Sequence, residues 1–306
     1  MKIVNRRLWY FLIAAVLVVI SIVSLVTVKI KTGVDFSAGT LFTVKFDQSV
    51  SRDQLRTQLD SMSYQSATIE PAQSGQYYIR THQLNQTQVT DFQTALTTAF
   101  GSLQLTSETV DPAVASEAVK NAIIAVIIAI FVMLLYIAFA FRKMPNPFKY
   151  GVCAVAGLAF DVLMALGAYS LLGALRGWQV DLMFISGILA VLGFSINNTI
   201  IVFDRMRENS TRGVSSDIEY VADVSIVQTL GRSFNSSLTA LFTLFVLSLF
   251  VGSTIENFVV VLIIGVISGV FTSTFLSPEL LVAWQKKQWG SFSGKTAEMA
   301  VAKAKS

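Results

Sequence analysis

Covalent and metal chemistry have almost nothing to work with in this 306-residue chain. It holds one cysteine, Cys153, and one histidine, His82. A single thiol excludes an intrachain disulfide and a thiolate metal site. A single imidazole in a polar loop has no second imidazole to complete a metal centre, so His82 reads as a solvated surface residue. No metal and no cofactor is expected. Charge is scarce as well, 14% of residues against 53% hydrophobic, which excludes an ordinary soluble domain.

What is present is long apolar runs. Six stretches approach the roughly 20 residues that a spanning helix needs: about 8–28, 121–141, 150–173, 182–203, 231–251 and 257–277. The first is long for a signal peptide and no small-residue cleavage site follows it, so it reads as a retained anchor. Lys and Arg are one-sided in the short loops: Lys2, Arg6 and Arg7, then Arg142, Lys143 and Lys149, then Arg205, Arg207 and Arg212, then Lys286, Lys287, Lys295, Lys303 and Lys305, against Arg176 alone on the other side. That bias predicts both termini in the cytoplasm. The formal charge of +4 is mostly this bias and implies no nucleic acid.

Residues 31–120 differ in kind. They are rich in Gln, Thr and Ser, and the topology puts them outside. Leu41 to Phe46 alternates as a half-buried strand. Ser51 caps a helix with Leu55, Leu59 and Met62 on one face. Strand-like segments at 65–70 and 76–81 flank the turn signal Ser74-Gly75. Asn85 caps a second helix with Val89, Phe92, Leu96 and Phe100 on one stripe, Gly101 ends it, and Leu103 to Val110 supplies a last strand. The order βαββαβ predicts a ferredoxin-like α+β unit. It contains no catalytic cluster, so recognition or movement is its expected role.

Polar residues inside the spans are few. The fourth is broken by Ser195, Asn197, Asn198 and Thr199 and ends in Asp204, Arg205, Arg207 and Glu208. Lipid offers carboxamides no hydrogen bonds, so they face the bundle interior as helix–helix glue or as part of an ion path. Asp161 lies near the middle of the third span, the one carboxylate well inside any of the six, with Gly157, Ala165 and Ala168 a turn away. It suits reversible protonation; a permanently hydrogen-bonded lock is the competing reading. In the fifth span Arg232, Ser236, Thr239 and Thr243 share one face, expected to point towards the fourth. Gly265, Gly269 and Thr272 share a face of the sixth and, with Gly157, predict close helix packing. The loop before the fifth span, 214–229, reads equally as an interfacial amphipathic helix or as an extension of that span.

Two stretches are specific enough to carry a resemblance: GVDFSAGT at 33–40, and GFSINNTIIVFDRMREN at 193–209 with QTLGRSFNSSLTAL opening the next span. With one exported ferredoxin-like domain between the first two spans, the chain resembles the SecF side of the SecD/SecF family in the RND superfamily, over almost its whole length. The resemblance implies a proton-motive-force-driven aid to late protein export, with a SecD homologue, the SecYEG translocon, the exported preprotein and the lipid bilayer as partners. It marks Gly33, Asp35, Phe36, Gly39 and Thr40 as the exported motif, and Asp161, Asp204-Arg205 and Arg232 as matched positions of the bundle. One departure stands out. The family pattern in the fourth helix reads Asn-Asp-Thr, and here it is Asn197-Asn198-Thr199, with no proton to lose at Asn198. Asn235, Ser236 and Ala240 also depart from the pattern of the fifth.

The expected architecture is therefore a six-helix RND-like half bundle in the cytoplasmic membrane of a bacterium, and not an enzyme. It comprises an N-terminus and first helix (1–30), an exported domain (31–120), five further helices (121–280) and a basic tail (281–306). No SecD-like portion is recognisable, so it reads as a stand-alone subunit. A structural assembly subunit without proton conduction and an RND-like small-molecule or lipid exporter component are the alternatives.

Overall fold

The computed structural model describes residues 4–286 apart from 29, 31–32, 37, 72–74, 145, 177 and 251–252. Ser74 and the basic residues beyond Lys286 lie outside the described residues. In chain order the elements are α1 (Arg7–Thr27), β1 (Gly39–Phe46), α2 (Arg52–Ser61), β2 (Thr68–Pro71), β3 (Gln76–Thr81), α3 (Gln86–Phe100), β4 (Leu103–Val110), α4 (Pro112–Ala140), α5 (Pro147–Arg176), α6 (Leu182–Thr211), α7 (Ile218–Phe250), α8 (Ser253–Phe271), a π-helical turn (Thr272–Leu276) and α9 (Ser277–Lys286). The chain forms two compact units: residues 28–125 with 170–185, and 1–27 with 126–169 and 186–306.

The first unit contains the ferredoxin-like domain. Its sheet runs β2-β3-β1-β4, all antiparallel, with Phe42 opposite both Ile79 and Ser107. Period-2 alternation sends Phe42, Val44 and Phe46 to one face, where Leu55 and Leu59 of α2 and Val89, Phe92 and Leu96 of α3 cover them. Phe42 and Phe92 stack at 4.0 Å. Both helices begin with capping boxes, Ser51 with Gln54 and Asn85 with Gln88, and Gly101 at φ 78° closes α3. The second strand starts at Thr68, later than expected, because residues 64–67 make a turn in which the Ala67 N–H donates to the Tyr64 carbonyl.

The second unit is a helical bundle. Among the described residues, six helices are long and apolar enough to cross a membrane: α1, α4, α5, α6, α7 and the continuous run Ile255–Lys286. Several extend past the apolar stretch that announces them. Residues 218–230 extend the fifth spanning helix, so α7 is one 33-residue helix about 50 Å long and no separate interfacial helix exists there. The bundle core is aromatic at one end: Phe141 and Tyr150 stack at 5.3 Å, with Phe203 edge-on to both. The register of α7 on α6 is set by polar contacts. Asn209 Nδ2 donates to Ser225 Oγ and Gln228 Oε1 at 2.9 Å, and Arg205 Nε donates to the same Gln228 oxygen at 2.6 Å.

Phe92 fills the centre of the domain core, so Phe92→Ala should cost about 3–5 kcal/mol. The expected result is faster limited proteolysis between residues 40 and 110 with the helical segments unaffected; unchanged proteolysis would show that the Phe42–Phe92 core does not hold the domain.

Candidate functional site

Asp161 sits halfway along α5 and is fully buried. A carboxylate in an apolar bundle needs donors, and three hydroxyls supply them. Ser195 of α6 donates to Oδ2; Ser268 of α8 donates to Oδ1; and Thr272, first residue of the π turn, donates to Oδ1 at 2.6 Å. Three helical segments thus meet on one acid.

The glycines explain how they come so close. A Cβ at Gly157, one turn before Asp161, would lie 2.6 Å from Thr272 Cγ2 and overlap Ser277 Oγ. Gly187 faces Val261, Gly265 faces Val191 and Gly269 faces Ser195, the last with 3.3 Å between an added Cβ and Ser195 Cβ. These pairs advance together, so α6 and α8 run parallel, and small-against-large pairing holds Ser195 beside the acid. The π turn adds a residue to the helical ladder directly at Thr272, the kind of irregularity found at working sites.

The expected site residues separate into those that reach this pocket and those that do not. Asn198 and Thr199 are buried on the same side of α6 as Ser195, and Asn198 Nδ2 has no hydrogen-bond partner among the described residues. Asn197 is exposed on the other side. Asp204 and Arg205 do not join the pocket. They sit in a ladder of local ion pairs at the end of α6, Arg207 with Asp204 at 2.6 Å, Arg212 with Glu208 at 2.6 Å, and Arg205 with Glu208. Arg232 and Ser236 do not point into the bundle as expected; with Thr239 and Thr243 they face outward on α7. The Asn209 and Arg205 contacts turn α7 so that Ser225, Thr229, Ser233 and Ser237 face inward instead, and Ser233 Oγ and Ser237 Oγ are buried without partners among the described residues.

Ser268 is the donor that sequence reading passed over. Its signal was available, since Gly265, Ser268 and Thr272 share a helical face. Glu279 was also missed. It is completely buried two residues beyond the end of the apolar run at 257–277.

The motif at residues 33–40 has a separate geometry, all within the first unit. Gly33 N–H donates to the Val180 carbonyl at 2.6 Å, and any Cβ at Gly33 would lie 2.8 Å from that oxygen. Asp35 Oδ2 accepts from the N–H of Leu182, the first residue of α6, at 2.9 Å, while Asp181 Oδ1 accepts from Phe184 N–H at 2.7 Å. Two carboxylates therefore cap one helix N-terminus, where negative charge is favoured. Gly39 takes φ 131°, and its Cβ would collide with the Thr81 carbonyl, so neither glycine of the motif tolerates a side chain. Phe36 closes the short 3-10 turn Val34–Phe36, and Thr40 Oγ1 accepts the Leu84 N–H at 3.0 Å.

Comparison with known proteins decides the family. Residues 91–287 match the family of SecD/SecF protein export membrane proteins (C-terminal part), and residues 23–50 match the SecD/SecF GG motif. The chain belongs to the SecD/SecF family. It is 34% identical to a protein translocase subunit SecF from Thermobaculum terrenum, over 94% of this chain and 95% of that one. It is 27% identical to the SecDF subunit of Bacillus subtilis, over 93% of this chain but 38% of that longer one. The crystal structure of SecDF from Thermus thermophilus superposes with a TM-score of 0.82 at 26% identity, over 94% of this chain and 39% of that chain. Together with six apolar helices, this makes the SecD/SecF-family chain a multi-pass protein of the bacterial cytoplasmic membrane. The GG-motif match covers the glycines and Asp35 of the α6 cap.

Gly157→Val should overpack the Asp161 pocket and cost about 1–3 kcal/mol, read as a lower thermal midpoint of the purified protein. Gly231→Ala, where an added Cβ meets nothing within 4 Å, is the control and should leave the midpoint unchanged. Equal behaviour of the two variants would contradict the packing.

Proposed function

We propose that this chain is a SecF-type accessory subunit of the Sec translocase that uses the proton motive force to assist late stages of protein export, with Asp161 as its titrating group. It acts with a SecD homologue beside the SecYEG translocon, handles the preprotein through its exported domain, performs no enzymatic reaction, and keeps both termini in the cytoplasm. The observation that carries the reading is the Asp161 carboxylate held by hydroxyls from α6, α8 and the π turn.

The chemistry follows from donor counting. An ionised carboxylate accepts all three O–H groups. A protonated one has a donor of its own, so one hydroxyl must rotate and accept, or leave. Protonation therefore rewrites a contact between α5 and α6 or α8, and each elementary charge moved is driven by about 2.3 kcal/mol per 100 mV. Ser, Thr and a carboxylate suffice for this; Asn198, without an ionisable proton, orients neighbours only. The outward polar stripe Arg232, Ser236, Thr239 and Thr243, unsuited to lipid, supports a partner of matching topology. A structural subunit with Asp161 as a fixed lock is the competing reading, favoured by the full set of donors and by Asn198.

Export under an imposed proton gradient separates them. With the SecD homologue present, Asp161→Asn should abolish the proton-dependent part and Asn198→Asp should change little. Equal activity in wild type and both variants would place the proton path in the partner and leave this subunit a structural half. For orientation, in a Cys153→Ser background, Gln83→Cys should react with an impermeant reagent in intact cells and Arg212→Cys should not; the opposite pattern would invert the topology.

A further inference from the structure

A second acid lies in the bundle with none of the provisions made for Asp161. Glu279, in the first turn of α9, is fully buried, and neither of its carboxylate oxygens has a hydrogen-bond partner among the described residues. The groups around it come from two other helices. Glu219 and Asp223 face it from α7, and Arg7 and Tyr10 from α1. Arg7 is committed elsewhere: its Nη1 pairs with Glu219 Oε1 at 3.0 Å. Lys286, on the same helix as Glu279, is held between Glu219 at 3.2 Å and Asp217 at 2.8 Å. Asp223 Oδ1 accepts the Val4 N–H at 2.8 Å, and Tyr10 stacks on Phe275 at 4.7 Å. From α5, Lys149 is turned to the Trp284 ring, 5.7 Å from its centroid. Asp217, outside the spans, shows what pairing does here. Burial works against its charge, yet the hydrogen bonds from Lys286 and the Glu219 N–H hold its carboxyl below the usual range.

We propose that Glu279 is a second proton-binding site of this chain, loaded at the end of the bundle where residues 4–7, 217–223 and 279–286 converge, and that releasing its proton transfers Arg7 from Glu219 to Glu279. A buried carboxylate without donors is costly, and Asp223 and Glu219, which face it, are carboxylates as well. The neutral acid, by contrast, adds no charge to the cluster. When Glu279 gives its proton to water, the new negative charge needs a partner. Arg7 is a cation that already acts on Glu279, and Glu219 can spare it because Lys286 still holds its other oxygen. No bond other than the Glu279 O–H is broken, and α1 exchanges an anchor on α7 for one on α9.

This stands apart from the Asp161 reading, and the test keeps the two distinct. Infrared difference spectra would be recorded against pH on the full chain with its SecD partner in lipid vesicles, following the carbonyl band of neutral carboxyl groups. The wild type should show a band that disappears as pH rises. Glu279→Gln, isosteric with the neutral acid, should remove it or its larger component. Glu279→Asp should shift the band without abolishing it, and Arg7→Gln should keep it to higher pH. If Glu279→Gln and Glu279→Asp both leave the band and its pH response as in the wild type, the proposal is overturned. A band removed entirely by Asp161→Asn would also overturn it, and would leave the Asp161 reading intact.

Discussion

One carboxylate placed in an apolar bundle imposes most of what surrounds it. Asp161 cannot stay ionised in such a medium without donors, and α5 has none to give it. The donors come from α6, α8 and the π turn, and their hydroxyls are short. Short donors demand close helices, close helices demand glycine, and Gly157, Gly265 and Gly269 stand where a Cβ would overlap or crowd a neighbour. The packing and the chemistry are the same constraint read from two sides. Under the proposed function, a change of proton at Asp161 rewrites one of these contacts with α6 or α8.

α6 matters for a second reason. Its buried side carries Ser195, Asn198 and Thr199, and its first turn is capped by Asp35 and Asp181. Gly33, pressed against the Val180 carbonyl, fixes where that helix begins. The far end of α6 is tied to α7 through Asn209, Gln228 and Arg205.

Much of this was legible in the residues. The ferredoxin-like domain was, down to Ser51 and Asn85 as caps, because strand alternation and capping are local signals. So was Asp161, because an acid in an apolar run is conspicuous. The facing of α7 was not. Arg232, Ser236, Thr239 and Thr243 form a regular stripe, but a stripe gives no direction; the direction comes from Asn209 and Gln228, side chains far from it in sequence. Ser268 was passed over because a serine in a spanning helix is unremarkable until a carboxylate faces it. Glu279 was missed because hydropathy ends at the last apolar residue, whereas burial in the folded bundle continues through α9. The amide at Asn198 in α6 was plain in the sequence, and its setting was not: Asn198 is buried with its Nδ2 unpartnered among the described residues, a position that structure alone reveals.

The central claim is that Asp161 takes up and releases a proton within this subunit. Proton uptake by vesicles holding the chain with its SecD partner, driven by an imposed membrane potential, tests it without reference to any exported client. The account predicts that Asp161→Asn lowers the uptake by about tenfold or more while the complex still forms. Undiminished uptake in that variant would contradict it.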